Sequence, residues 1–334
     1  MVRVIKNGVE KAFLAFSRVV ILGFALSFIL AACKSDTKNY SEWYLIREDV
    51  DIFVKELGTG KDTVIVVHGG FGMSHHYMIA AIKGLEKTFH FVFYDQRGSL
   101  MSPTKKENLT FQKNVDDLYA LVKELKLERV KLFCHSMGTL VGMEFAKQHP
   151  ELVSNLVLVG TIPPKSDSVQ SIFSERFEEQ VNFLSDRQEV EELLKPFRDR
   201  GADAQFPSLS DIEKTNLSHK DMTEYWRIIF ASVNIYDIKK HNLFIKCGRA
   251  YYKGEAAVMG NTVNWNYDYR SMMNNTKTTV INGAYDFLDF NGDNLKTLLD
   301  GFPNIRLVII PNAGHSIWID NPKLFKQNLL TALK

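Results

Sequence analysis

Residues 131–142, "KLFCHSMGTLVG", decide the fold. Val130, Leu132 and Phe133 suit a strand buried on both faces, and Leu140, Val141, Met143, Phe145 and Ala146 have the spacing of a packed helix. A buried strand, a tight turn and a helix therefore meet at Ser136. Gly-x-Ser-x-Gly is the pattern expected in that setting, because small flanking residues let strand and helix pack closely while the turn pushes Oγ outward. Cys134 stands where the first glycine is usual. The stretch alone thus leaves two readings: a nucleophile on a strained turn, or an ordinary serine at a junction. Cys134 asks for slightly more room, which a small buried hydrophobe can find. It is a poor nucleophile candidate, since a residue two before the turn points into the sheet.

The flanking sequence supplies the rest of a sheet. "TVIVVHGG" (63–70), "FHFVFYD" (89–95) and "LVLVG" (156–160) are apolar runs of the kind buried in parallel sheets. Helices are expected between them, around 76–86 and at 112–126, and the alternation implies a sheet covered on both faces. Residues 44–57 alternate polar and apolar and suit edge strands. From 163 to 275 the chain is rich in charge and aromatics, with helical stretches at 174–184 and 222–230 and no buried-strand run. Strand character returns at "TTVING" (278–283) and "IRLVIIP" (305–311). The expected organisation is a leader at 1–32, a tether at 33–43, an α/β core at 44–162 and 276–334, and a helical lid at 163–275. The lid would cover the sheet's C-terminal edge, where ligands bind in open α/β sheets.

Partners for Ser136 should top other strands. Asp286 follows "TTVINGAY" and His315 follows "RLVIIPNAG". In the order Ser136, Asp286, His315, the histidine accepts the serine proton and the aspartate fixes its tautomer. An oxyanion hole fits the N–H of Gly70, in "HGG" (68–70), with that of Met137. A side chain at position 70 is expected to be tolerated, whereas Gly69 is held by its tight turn. Asp289 is an alternative acid. His135 suits packing or orientation rather than base chemistry. The His75–His76 pair suits a surface or helix start, because adjacent side chains diverge and no third metal ligand has suitable spacing.

"HGGFG", "YDQRGSLMS" (94–102), the serine turn, "GAYD" (283–286) and "NAGHS" (312–316) recur in this order in α/β-hydrolases. The chain resembles that family over roughly residues 46–334, and its Asp-Gln-Arg-Gly-Ser element looks most like the proline iminopeptidase branch. The resemblance implies an α/β-hydrolase fold, a mostly parallel sheet flanked by helices with a helical lid inserted between late strands. It also implies serine-hydrolase chemistry on a small amide or peptide. The pattern departs at Gly98-Ser99-Leu100, where Gly-Ser-Gly is usual, in a loop expected to border the site. Arg97 is expected to hold loops together by ion pairs.

An aminopeptidase must read a free amine, and Glu175, Glu178, Glu179, Glu213, Glu224 and Asp237 are the lid acids available, with Glu224 favoured. "HSMG" also resembles esterases and monoacylglycerol lipases, so action on a small acyl ester is the rival. A lipid-anchored binding protein that lost activity is a third reading. Family members with an aspartate nucleophile, dehalogenases and epoxide hydrolases, do not fit Ser136. Trp226, Trp265 and Trp318 suit core or lid packing. No cofactor or metal is implied, because side chains and backbone complete the chemistry.

The leader is read separately. Arg3, Lys6, Lys11 and Arg18 precede 14 uncharged, mostly apolar residues (19–32), too short for a membrane span and suited to a signal peptide. Leu30-Ala31-Ala32-Cys33 resembles the lipobox of bacterial lipoproteins, which implies cleavage before Cys33, lipid on its sulfur and a membrane-anchored protein of the cell envelope. An uncleaved anchor or an ordinary secretory signal is the alternative. The chain carries 41 basic and 39 acidic residues, and the first 33 hold four and one of them. The remainder, 37 against 38, is near neutral, with no basic run or zinc spacing for nucleic acid. No disulfide is expected between Cys134 and Cys247. About 300 residues are ample for a core without one.

Overall fold

The strand expected before Ser136 forms near the middle of an eight-stranded sheet. The computed structural model describes residues 40–202, 216–244 and 254–334. Its strands are β1 (Tyr40–Ile46), β2 (Asp51–Leu57), β3 (Asp62–Val67), β4 (Phe89–Tyr94), β5 (Val130–His135), β6 (Val153–Val159), β9 (Thr278–Gly283) and β10 (Arg306–Ile310). Two short strands, β7 (Lys165–Ser166) and β8 (Tyr267–Asp268), pair apart from the sheet. The sheet order is β1-β2-β4-β3-β5-β6-β9-β10. β1 and β2 are antiparallel to their neighbours, and every other pairing is parallel.

Alternation along the strands separates two cores. On β3, Ile65 and Val67 face one layer and Val64 and Val66 the other; on β5, Leu132 and Cys134 oppose Phe133. The first layer is covered by helices α1 (Phe111–Glu124) and α2 (Gly138–Gln148), through Leu118, Leu121, Leu140 and Val141. The second is covered by α6 (Pro322–Leu333), through Phe325 and Leu329, and by the 3₁₀ segment His75–Ile82. Each fully buried side chain of this kind stabilises by about 1.5–3 kcal/mol, which is why both faces read as apolar. Arg97 is buried and behaves as expected. It donates to Asp117 from Nε and Nη2, both at 2.8 Å, and to Asn108 O at 2.9 Å, tying the loop after β4 to α1.

The lid region holds α3 (Glu175–Ser185), α4 (Gln188–Arg198) and α5 (His219–Asn234), with a core of its own around Val190, Leu194, Tyr225 and Ile228. It leaves after β6 and returns at β9, and these strands are neighbours in the sheet. Two details differ from expectation. The β7–β8 ribbon pairs Lys165 with Asp268 and Ser166 with Tyr267, where no strand was expected. β1 also takes in Tyr40–Trp43, assigned above to the tether. Cys33, Cys247 and Glu213 lie outside the described residues.

The room for Cys134 comes from α2. Gly142 lies against it so closely that a Cβ there would overlap the Cys134 sulfur. The glycine missing from the strand thus recurs on the facing helix, and the thiol fills the gap. Alanine ordinarily favours a helix over glycine by about 1 kcal/mol. Here Gly142→Ala should instead destabilise by about 1–3 kcal/mol through overpacking. Adding Cys134→Gly should recover most of that in urea unfolding; costs that simply add would exclude the contact as the cause.

Candidate active site

Ser136 sits on the turn between β5 and α2 with φ of +53°, a left-handed conformation that costs a non-glycine residue free energy. Its N–H donates to Val159 O at 3.0 Å, and its carbonyl accepts from Thr139 N at 2.8 Å, so both sides of the strained peptide are tied down. Met137 immediately precedes α2, and its N–H therefore lies at the positive end of the helix dipole. The end of β3 comes in from the side. A Cβ on Gly69 would stand 2.5 Å from Ser136 Cβ and 2.9 Å from His135 O. Position 69 therefore requires glycine for close approach, rather than for a tight turn. Gly70 has φ of +61°, so a side chain there is strained, contrary to the tolerance expected from sequence.

Asp286 and His315 meet beyond the ends of β9 and β10. His315 Nδ1 donates to the Asp286 carboxylate, 3.0 Å from Oδ1 and 2.9 Å from Oδ2, and both residues are buried. Leu288 N donates to Asp286 Oδ1 at 3.0 Å, which fixes the carboxylate. Asp289 is engaged elsewhere, since its two oxygens accept from Asn294 N at 3.0 Å and Leu295 N at 2.8 Å, at the start of the helix Asp293–Leu299. Ser136 and His315 line one pocket of about 260 Å³ with Gly69, Gly70 and His135, the residue before the serine. Its other walls are mostly apolar: Met73, Phe230, Val233, Phe244 and Phe287, whose ring lies 4.6 Å from that of His315. Gly70 and Met137 also border a second cleft of about 600 Å³ with Phe71, Val169, Phe173, Ala257 and Trp265.

Other residues singled out from sequence fall outside these pockets. Glu224 is half-buried on α5, paired with Arg227 and with His241 at 3.5 Å. The loop at Gly98-Ser99-Leu100 does not line the Ser136 pocket; it closes a turn in which Ser99 N donates to Gln96 O and Gly98 N to Ser102 O. His75 begins the 3₁₀ segment His75–Ile82, the helix start expected of it, and is buried rather than on the surface. Its backbone N–H and its Nδ1 both contact Asp95 Oδ1 at 2.8 Å, and its ring stacks on His76 at 4.1 Å instead of diverging. Trp226 packs against Phe230 at a tilt, and Trp318 lies edge-on to His135.

The sequence reading missed three residues. Tyr77 Oη joins Gly69 N to His135 Nδ1. Asp320 accepts from Gly314 N, Tyr236 N and Asp237 N at 2.8–3.0 Å, binding the lid to the His315 loop. His68 Nε2 accepts from Gln96 N at 3.0 Å while Nδ1 donates to Gly69 O at 2.9 Å. Only the "HGG" and "DQRG" elements carried any signal for the last pair.

Two buried histidines give the fold an acid limit. Burial pulls the His68 pKa down to about 4, and burial with the neighbouring His315 holds His135 well below the ordinary range. In the unfolded chain each takes up a proton near pH 6.5. Between about pH 6.5 and 4 the unfolded state therefore binds more protons, so stability falls as pH falls, by about 3 kcal/mol for His68 alone. Asp95 acts lower. Burial raises its pKa, but the His75 bond and charge outweigh that and leave it below the usual value, so its contribution is lost only below about pH 4. Burial also raises the Asp117, Asp289 and Asp320 carboxyls, which works the other way, so urea unfolding across pH 4.5–7 is compared with that of His68→Gln: the parent should lose more stability on acidification, and parallel profiles would contradict a neutral, buried His68.

Comparisons with known proteins bear on the fold. The family model for the alpha/beta hydrolase fold matches residues 62–190. RutD of Escherichia coli O157:H7 (strain EC4115 / EHEC), for which carbamate hydrolysis is the proposed activity, is 33% identical over 97 residues. That match covers 29% of this chain and 36% of the relative, so the chain spans about a third of the length of the curated relatives it matches. A proline iminopeptidase-related protein of Thermus thermophilus superposes with a TM-score of 0.61 at 18% identity, covering 88% of this chain and 97% of that one. An esterase of Thermogutta terrifontis gives 0.56 at 20% identity, covering 88% and 98%. Sheet order, serine turn and neighbours agree, and the chain has the α/β-hydrolase fold.

Proposed function

We propose that the protein is a serine hydrolase whose substrates are carboxylic esters with apolar groups on the acyl or alcohol side. Ser136 Oγ attacks the ester carbonyl as His315 Nε2 takes its proton. Asp286 holds the ring by Nδ1 and stabilises the imidazolium. The tetrahedral oxygen is met by the N–H groups of Gly70 and Met137. The intermediate collapses as His315 returns the proton to the leaving alcohol, and water then releases the acyl group by the same steps in reverse order. The apolar walls around Ser136 and in the cleft beside Gly70 and Met137 carry this choice of substrate. An aminopeptidase would need a carboxylate on the substrate's amine, and Glu224, the favoured one, is engaged with Arg227 and His241.

A fluorophosphonate probe should label the parent and not Ser136→Ala, with loss of ester turnover by at least about 10³-fold. p-Nitrophenyl butyrate should be turned over well and proline β-naphthylamide poorly. Faster amide turnover would reverse the order of the two readings, and an unlabelled but folded parent would leave a binding protein.

We propose further that the protein is exported and held at a membrane by lipid on Cys33. The basic, apolar and Leu-Ala-Ala-Cys segments in sequence support this. Cys33→Ala should move the protein from the membrane to the soluble fraction; unchanged distribution would sink the anchor.

A further inference from the structure

A phenol and an imidazole link three segments of the site. Tyr77, on the 3₁₀ segment His75–Ile82, has its Oη 2.6 Å from Gly69 N and 2.8 Å from His135 Nδ1. His135 Nε2 lies 3.2 Å from the backbone oxygen of His315. The proton positions follow from what each group can do. A carbonyl oxygen only accepts, so His135 Nε2 carries hydrogen; in a neutral ring Nδ1 is then an acceptor. Tyr77 must donate to it, which leaves its lone pairs for the Gly69 N–H. Every donor faces an acceptor, and the direction is fixed from end to end.

We infer that Tyr77 and His135 are positioning residues that hold the oxyanion loop and the His315 loop in register across the serine turn. Gly69 is the residue before Gly70, so pinning the Gly69 N–H limits rotation of the chain that aims the Gly70 N–H. At the other end, His315 is held twice, its ring by Asp286 and its backbone by His135. Groups that are individually mobile are thus fixed before substrate arrives, which is the source of most electrostatic preorganisation.

The chain also controls charge. His135 and His315 rings lie 4.5 Å apart, with Trp318 edge-on to His135 at 4.9 Å. The titratable groups facing His135 are His315, His68 and Tyr77, with Asp286 beyond His315. A proton on His135 would oppose the one His315 must accept, and would reverse the bond to Tyr77. Burial keeps both groups neutral, raising the Tyr77 phenol and lowering His135.

The kinetic consequence rests on the serine-hydrolase reading, whereas the hydrogen-bond chain does not, so two measurements are made. With ¹⁵N-histidine in the parent, NMR should show His135 as the neutral Nε2–H tautomer across about pH 5–8, where an ordinary histidine titrates. An Nδ1–H tautomer, or titration in that range, would overturn the chain whatever the activity. Tyr77→Phe removes one oxygen. It should lower kcat on p-nitrophenyl butyrate about tenfold or more with KM within about twofold, and weaken a boronic acid transition-state mimic by the same factor. His135→Asn, which keeps an acceptor for Tyr77 but drops the arm to His315, should also lower kcat. A Tyr77→Phe enzyme with parental kcat, or with loss confined to KM, would overturn positioning. A parent with the expected tautomer but no fluorophosphonate labelling would overturn the kinetic role and the hydrolase reading, while leaving the chain intact.

Discussion

The site depends on a close approach: the end of β3 passes so near the turn after β5 that only a hydrogen fits between Gly69 and Ser136. Ser136 is itself in a conformation that costs about 1–3 kcal/mol. The turn persists because its surroundings over-determine it. Val159 O and Thr139 hold the backbone on one side, and Thr139 Oγ1 both donates to Ser136 O at 2.6 Å and accepts from Ile162 N at 3.1 Å. The strain is therefore shared among β5, β6 and α2, three elements that the two buried cores already fix.

That arrangement explains what could be read from sequence. Ser136, Asp286 and His315 each follow an apolar strand run, and the parallel sheet brings strand ends together, so order and spacing carried the grouping. Asp286 was preferred to Asp289 for its nearness to the strand end, and no other local pattern separated the two. Both follow β9 within six residues, and only the turn reveals that one faces His315 while the other accepts from the N–H groups of Asn294 and Leu295. His75 does start a helix, as expected, but its burial went unread for a similar reason. Its partner Asp95 lies 20 residues on, and no local pattern marks a buried pair formed across two loops.

Cys134 shows how a local rule can be broken and kept. The first glycine of the motif serves close packing between strand and helix, and that need is met from the other side by Gly142. A motif scan sees a mismatch because it compares positions, whereas the physical requirement concerns a contact. The β7–β8 ribbon escaped notice for a simpler reason: two residues per strand are too few for any periodicity.

The lid's attachment bears on how substrate could enter. Its insertion between adjacent strands β6 and β9 leaves the sheet pairing uninterrupted, so the lid can vary without cost to the core. Yet the C-terminal end of α5 is anchored to the His315 loop. Ser316 N donates to Asn234 O at 2.8 Å, and Asp320 gathers Gly314, Tyr236 and Asp237, with Tyr236 stacked on Tyr285 at 4.2 Å. The three backbone N–H groups offset part of the cost of burying this carboxylate and tie the two segments to one side chain. Moving that end would pull on the loop that carries the proposed base. The wider cleft that meets Gly70 and Met137, lined by Phe173 and Trp265, includes none of these anchoring residues, so a substrate entering by it need not disturb the Asp286–His315 pair.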